Sequence, residues 1–270
     1  PTEIAMRRGS NVDEGDLLMI VNGGTGTLAG SIAAFSILRS QNVIAPSLLT
    51  TEGTFEDIGI EDSDTPVMYV TVKRTINSAT VYYLETFDNN YTTDAAVQYG
   101  AAAGPVLTGL AHLEAETVKV IADDALLGDE TVASSQITAD RVTTTYAEVG
   151  LEFPTFTDEL ADNATKTTPL IRTMPVETRL PSGPVTGFLK RIVSANVILD
   201  DTQNLSVNGD IVPFRRLDND DLDSGIAFFT GTKESGPFLG YDKEGQVEVT
   251  QSGPLFFTLL AIDYRVSVGQ

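Results

Sequence analysis

The chain has 270 residues, no cysteine, no tryptophan, and 38 acidic against 17 basic side chains, for a net charge of −21. That length can bury a sizeable core without staples, and the lack of cysteine excludes disulfides and thiolate metal sites. The acidity is spread over the whole chain, with 19 carboxylates in each of residues 1–135 and 136–270, and it argues against nucleic-acid binding, which draws on Lys and Arg to neutralise phosphates.

From the N-terminus, Arg7 and Arg8 lack a following apolar run with a cleavage site, so no signal peptide is expected in residues 1–30. Leu17–Val21 is apolar and leads into Gly23-Gly24-Thr25-Gly26-Thr27-Leu28-Ala29. Leu28–Ser40 is the main helix candidate, with Asp158–Asp162 a second. Met68–Arg74 and Thr80–Thr86 alternate apolar and polar residues around a turn at Ile76–Ala79, which predicts a hairpin. Thr117–Ala122, Ala125–Leu127, Val132–Ser134 and Gln136–Thr138 read as short strands, and the Thr- and Val-rich Val142–Leu151 favours strand as well.

In the second half, Val193, Ala195, Val197 and Leu199 are expected to share one strand face, with turns at Asp200-Asp201 and Asn208-Gly209. Leu205–Val207, Ile211–Phe214 and Gln246–Thr250 read as short strands. Leu255–Ile262, continuously apolar, predicts a strand buried on both faces, and it is too short to cross a membrane as a helix. Many short strands with little helix predict an all-β fold of propeller- or sandwich-like domains. The Gly/Ala run Gly100–Gly104 and the polar stretch Asp158–Thr168 suggest divisions into a β domain at 1–104 (part of a propeller-like platform), a small β subdomain at 105–165 and a C-terminal β domain at 166–270.

Motifs for chemistry are sparse. Gly24-x-Gly26-x-x-Ala29 after an apolar run matches the turn that presents backbone N–H groups to a pyrophosphate. No further strand–helix–strand units follow it, so a Gly-rich turn between two strands is the simpler reading. His112 is the only histidine, which leaves no partner for a His-based zinc site and suggests a structural hydrogen bond. The acidic run Asp218–Gly225 and the cluster Glu61-Asp62-Ser63-Asp64 fail the calcium-loop pattern and read as solvated loops. Three Asn-x-Ser/Thr matches, at Asn90, Asn163 and Asn204, are chance occurrences in a Thr- and Asn-rich chain. The basic pairs Lys190-Arg191 and Arg215-Arg216 are expected to make contacts within or between subunits.

Several segments in chain order resemble the tail nozzle proteins of short-tailed bacteriophages, the tail tubular protein B family. They are Thr25–Leu28, Ile37–Val43 with Thr50–Phe55, Val72–Asn77 with Tyr83–Glu85, Gly109–Glu114 with Val118 and Ala122-Asp123, Pro181–Gly187 with Lys190–Ile192, Ser206–Gly209, and Gln251–Leu255 leading into Leu260–Ile262. The resemblance implies a structural virion protein without catalysis or cofactor: a β-rich subunit of a six-membered ring below the tail adaptor. Such a ring carries a needle, spike or fibre protein and passes DNA without specific binding or membrane insertion. It would be made in the host cytoplasm. Family members are usually much longer, so the chain reads as a C-terminal portion, a fragment or a short version. Two alternatives predict different things. A glycan-binding adhesin module needs an aromatic-lined groove. A dinucleotide-dependent enzyme using Gly24, Gly26 and Ala29 needs a helix at Leu28–Ser40 and a parallel sheet.

Overall fold

The computed structural model describes residues 1–9, 15–61, 63, 66–100, 104–141, 145–157, 165–167, 169–177, 179–180, 183–185, 187–215 and 225–269. Its fold is all-β: small antiparallel sheets, with helix limited among these residues to two 3-10 turns. The chain divides into two units, Pro1–Val120 with Gly128–Pro154 and Ile121–Leu127 with Thr155–Gln270. The break expected at 104/105 lies inside the first unit.

The first unit opens with a four-stranded sheet of β1 (Glu3–Arg7), β2 (Asp16–Val21), β3 (Ile32–Leu38) and β4 (Val43–Leu49), in that order. β5 (Thr54–Ile60), β6 (Met68–Ile76) and β7 (Ala79–Thr86) form a second meander. In β3 and β6 the buried residues fall at alternate positions, so each sheet turns an apolar face inward. Met19, Val21, Ile32 and Ala34 of the first sheet meet Phe55, Ile58, Val70 and Val72 of the second in one buried cluster. Those two faces make a sandwich, and each fully buried aliphatic side chain in it contributes about 1.5–3 kcal/mol. β8 (Asp94–Tyr99), β9 (Val106–Thr108), β10 (Thr117–Ala122), β11 (Ala125–Thr131), β12 (Gln136–Thr138) and β13 (Ala147–Leu151) follow. They form a sheet ordered β11-β10-β13-β8 and the pair β9–β12.

The second unit holds β14 (Phe156–Thr157), β15 (Thr165–Lys166), β16 (Leu170–Arg172), β17 (Arg179–Leu180), β18 (Gly183–Pro184), β19 (Lys190–Thr202), β20 (Ser206–Val207), β21 (Asp210–Ile211), β22 (Phe229–Ser235), β23 (Glu248–Thr250) and β24 (Thr258–Val268). β19 is the centre of the sheet β22-β19-β24, and β23 and β20 sit inside the sheet β16-β23-β20-β21. One buried cluster joins the two, with Ala195, Val197 and Leu199 of β19 beside Val207 and Val249.

The hairpin expected around residue 77 is present: β6 and β7 pair from Tyr69↔Thr86 to Ile76↔Ala79. The turn residues Asn77 and Ser78 have φ of 48° and 63°, the left-handed pair that a two-residue hairpin requires. Asn208-Gly209 likewise turns with φ of 49° and 83°.

Three expectations are corrected. Leu28–Ser40 is not helical. Ile32–Leu38 is β3, registered against β4 over its whole length and against β2 from Ile32 to Ile37. Ile32 and Ala34 are buried at strand spacing, so pairing on both sides outweighs the helical preference of the alanines. On β19, the residue that shares the buried face of Ala195, Val197 and Leu199 is Ile192, not Val193, because a register shift between Ile192 and Ser194 moves the alternation by one. Leu255–Ile262 is not buried on both faces: β24 starts at Thr258 and is an edge strand, and Leu260 is 61% exposed. The helix candidate Asp158–Asp162 lies outside the described residues.

Candidate functional site

The basic residues singled out by sequence separate into different settings. Lys190 opens β19 and is buried within the chain. Its Nζ donates to the Lys243 carbonyl at 2.7 Å and lies 3.7 Å from Glu177 Oε1. Its backbone exchanges hydrogen bonds with Asp242 at 2.6 and 2.7 Å. Its ammonium is therefore not a surface contact, and its carbonyl and carboxylate partners account for a buried lysine. The neighbouring Arg191 projects to the other side of the strand, with its guanidinium 5.5 Å from the centre of the Tyr241 ring. Arg215 is half-buried, and Arg216 lies outside the described residues, as does Asp218–Ser224.

Sequence reasoning missed a charged cluster in the first unit. Arg74 of β6 is 1% exposed and uses all its donors. Nε and Nη2 grip Glu85 of β7 at 2.9 and 2.7 Å; Nη1 and Nη2 grip Asp94 of β8 at 2.9 Å each; Nη1 also reaches the Glu52 carbonyl at 2.6 Å. Asp94 further accepts from Thr51 Oγ1 and the Glu52 N–H at 2.6 and 2.9 Å. Burial works against the arginine's charge, but the two carboxylates outweigh it and raise its pKa above the ordinary value. Beside it, Glu148 in β13, also 1% exposed, accepts from the N–H and hydroxyl groups of Thr92 and Thr93 at 2.6–3.3 Å. Gly150 is glycine for space, since a Cβ there would stand 2.6 Å from the Asp94 carbonyl oxygen. With every donor answered internally, Arg74 is a clamp that holds three strands and a loop. It offers no vacant ligand position.

His112 packs edge-on to Tyr83, 6.3 Å between rings, and its Nε2 lies 3.1 Å from the Ala95 carbonyl, the structural hydrogen bond its sequence setting suggested. Gly23–Ala29 joins β2 to β3, which pair antiparallel, so the Gly-x-Gly turn does not connect a strand to a helix. Among the described residues, no group of three His, Asp or Glu side chains is placed to hold a metal ion, and no helix is long and apolar enough to cross a membrane.

The feature that asks for an occupant is the outer surface of the sandwich. The register aligns Ile4, Ile20, Ala33 and Leu48 in one row across β1–β4, and Met6, Leu18, Phe35 and Pro46 in the next. The third row holds Asp16, Ile37 and Ile44. These rows face away from the buried cluster, and Ile4, Ile44 and Leu48 are 56%, 65% and 46% exposed. The one carboxylate in the rows, Asp16, is buried and ion-paired to Arg39. On the opposite side of the sandwich, Tyr69, Thr71, Lys73, Tyr82 and Leu84 share the outer face of β6–β7, with Tyr82 and Leu84 61% and 72% exposed. The signal for the β1–β4 face was in the sequence: strands such as β2 and β4, apolar at both parities, cannot bury all their side chains in one sandwich, whereas the outer parity of β6–β7 is mostly polar.

No protein-family model matches this chain, and no curated protein matches it.

Proposed function

We propose that this chain is a structural virion protein, a subunit of the ring-shaped tail nozzle that forms the distal DNA-ejection channel below the tail adaptor. The observation that carries the reading is the exposed, largely apolar outer face of β1–β4 in a chain of net charge −21. A soluble monomer rarely exposes contiguous apolar patches beyond a few hundred Å², and larger ones mark contact surfaces. The ordered family-like segments supply the particular assembly. The acidity suits a conduit, because carboxylates repel the phosphate backbone and let DNA slide. The ring is tested by native mass in the presence and absence of the tail adaptor: a six-fold assembly is the expected result, and a monomer under both conditions at micromolar concentration overturns it.

A second reading, a glycan-binding adhesin module, draws on one specific observation. Tyr69 and Tyr82 stand exposed on the same outer face, and aromatic rings of that kind can stack on sugar rings. Measurable affinity in a glycan array, lost in Tyr82→Ala, would favour it over the ring.

A further inference from the structure

We propose that the free edge of β24 pairs with the same edge of a second copy, antiparallel about a two-fold axis at Tyr264, and so joins two β22-β19-β24 sheets into one.

β24 is an 11-residue strand at the rim of its sheet, with β19 on one side only. The Gly269 N–H, just past its end, donates to the Leu189 carbonyl at 2.8 Å, which aims that residue toward β19. Backbone directions alternate along a strand, so Ile262, Tyr264 and Val266 turn their N–H and C=O groups outward. Those groups have no partner among the described residues. From Ala261 to Ser267 no proline, glycine or extra residue interrupts β24. On the other rim, β22 is interrupted by Gly231 at φ of 143° and by a register shift. A regular, unpaired edge is a template for a further strand.

Charge selects both the occupant and the register. Asp263 and Arg265 are exposed on the outer side of β24. Across the sheet they face Asn196 and Ser194, and neither makes an ion pair among the described residues. A two-fold axis at Tyr264 sets Asp263 against Arg265 of the second copy, and Arg265 against its Asp263. These fall at non-hydrogen-bonded positions, where opposed side chains come closest. On the inner side Ile262 meets Val266 and Tyr264 meets Tyr264, which extends the half-buried row packed on the core of this unit. The backbone hydrogen bonds fall at Ile262, Tyr264 and Val266, where the partners are missing. An axis one residue earlier opposes Asp263 to Asp263, and one residue later opposes Arg265 to Arg265. Like charges directly opposite destabilise a strand pair, so only the middle register is favoured.

The same surface serves both copies, so the contact is isologous and closes at two. It neither builds a ring nor rests on the nozzle reading.

Charge swaps in the full chain test it, with sedimentation velocity as the readout and circular dichroism as the check on folding. Asp263→Arg alone and Arg265→Asp alone are each expected to weaken self-association about tenfold, because symmetry places every change at the contact twice. Asp263→Arg does so while lowering the net negative charge, a change that by itself favours association. The double variant Asp263→Arg/Arg265→Asp keeps the net charge and is expected to recover the affinity of the natural chain. An equal mixture of the two single variants is complementary at both positions and is expected to form mixed dimers as tight as the natural ones. Single variants that associate like the natural chain overturn the proposal. So does a double variant or a mixture that fails to recover, or a natural chain still monomeric at about 100 μM. A six-fold ring indifferent to every swap keeps the nozzle reading and sinks this contact. A dimer that obeys the swaps and grows no further with the tail adaptor keeps the contact and sinks the ring.

Discussion

Arg74 brings five N–H donors into a place closed to solvent, and each finds an oxygen. A planar guanidinium can grip two carboxylates bidentately where an ammonium cannot. Removing it would leave Glu85 and Asp94 without their cation, the costly half of a broken buried pair. Arg74→Ala is expected to lower stability by about 3–5 kcal/mol, read from urea denaturation. Arg74→Lys should recover only part of it. Asp16 sets a different test. The Gly9 N–H lowers its pKa below the ordinary 3.8, against the push of burial and with help from Arg39. A carboxyl depressed in the folded state stabilises above its unfolded pKa and loses that contribution as pH falls through the folded value. The stability gap between the natural chain and Asp16→Asn is therefore expected to be constant above about pH 5 and to close below about pH 4. A gap that persists at pH 2 would assign the effect to packing. Arg74 was legible in part: it occupies the inward parity of Val70, Val72 and Ile76, where a charge demands a partner. Its partners, 11 and 20 residues away in sequence, were not, because spacing alone does not reveal which strands are neighbours.

Among the elements, the β6–β7 hairpin was legible because its alternation and its turn agreed. Ser78 holds φ of 63° without being glycine, which an L-residue adopts at a cost of roughly 1 kcal/mol. Ser78→Gly supplies the Asn-Gly sequence that such turns favour and is expected to raise the melting temperature by a few degrees. No rise would mean that the serine side chain offsets the strain. β3 was misread for a physical reason. Its small and apolar residues fit a helix as well as a strand, and only its pairing with β2 and β4 decides. β24 shows the converse. A continuous apolar run predicts two covered faces, yet an edge position leaves Leu260 in the open. The bulge in β19 likewise changes which side chains face inward, and single-residue register shifts leave no compositional trace.

At the scale of the whole molecule, the all-β class followed from strand density and turn residues, and the structure bears it out. Charge governs what the molecule does in company. Copies of a chain at −21 repel, and salt screens that repulsion within about 8–10 Å at physiological strength. Association is therefore expected to strengthen as sodium chloride rises from low ionic strength to about 0.5 M, measured by sedimentation velocity. Weakening over that range would place ion pairs, not apolar faces, at the contact. The chain should also leave double-stranded DNA unshifted at physiological salt.

The division of the chain has a consequence for anyone who would take the protein apart. The backbone leaves the first unit at Val120, returns at Gly128 and leaves again at Pro154, so neither unit is one contiguous segment. Residues 155–270 expressed alone lack the loan of residues 121–127. The Ile226 N–H then has no Asp124 carbonyl, and the space kept open by Gly253 has no Leu126 to fill it. A ribosome completes that borrowed hairpin tip long before the segment that needs it emerges. The second half thus matures onto a piece supplied in advance, and a genetic cut at the most natural-looking boundary yields a fragment with a hole in it.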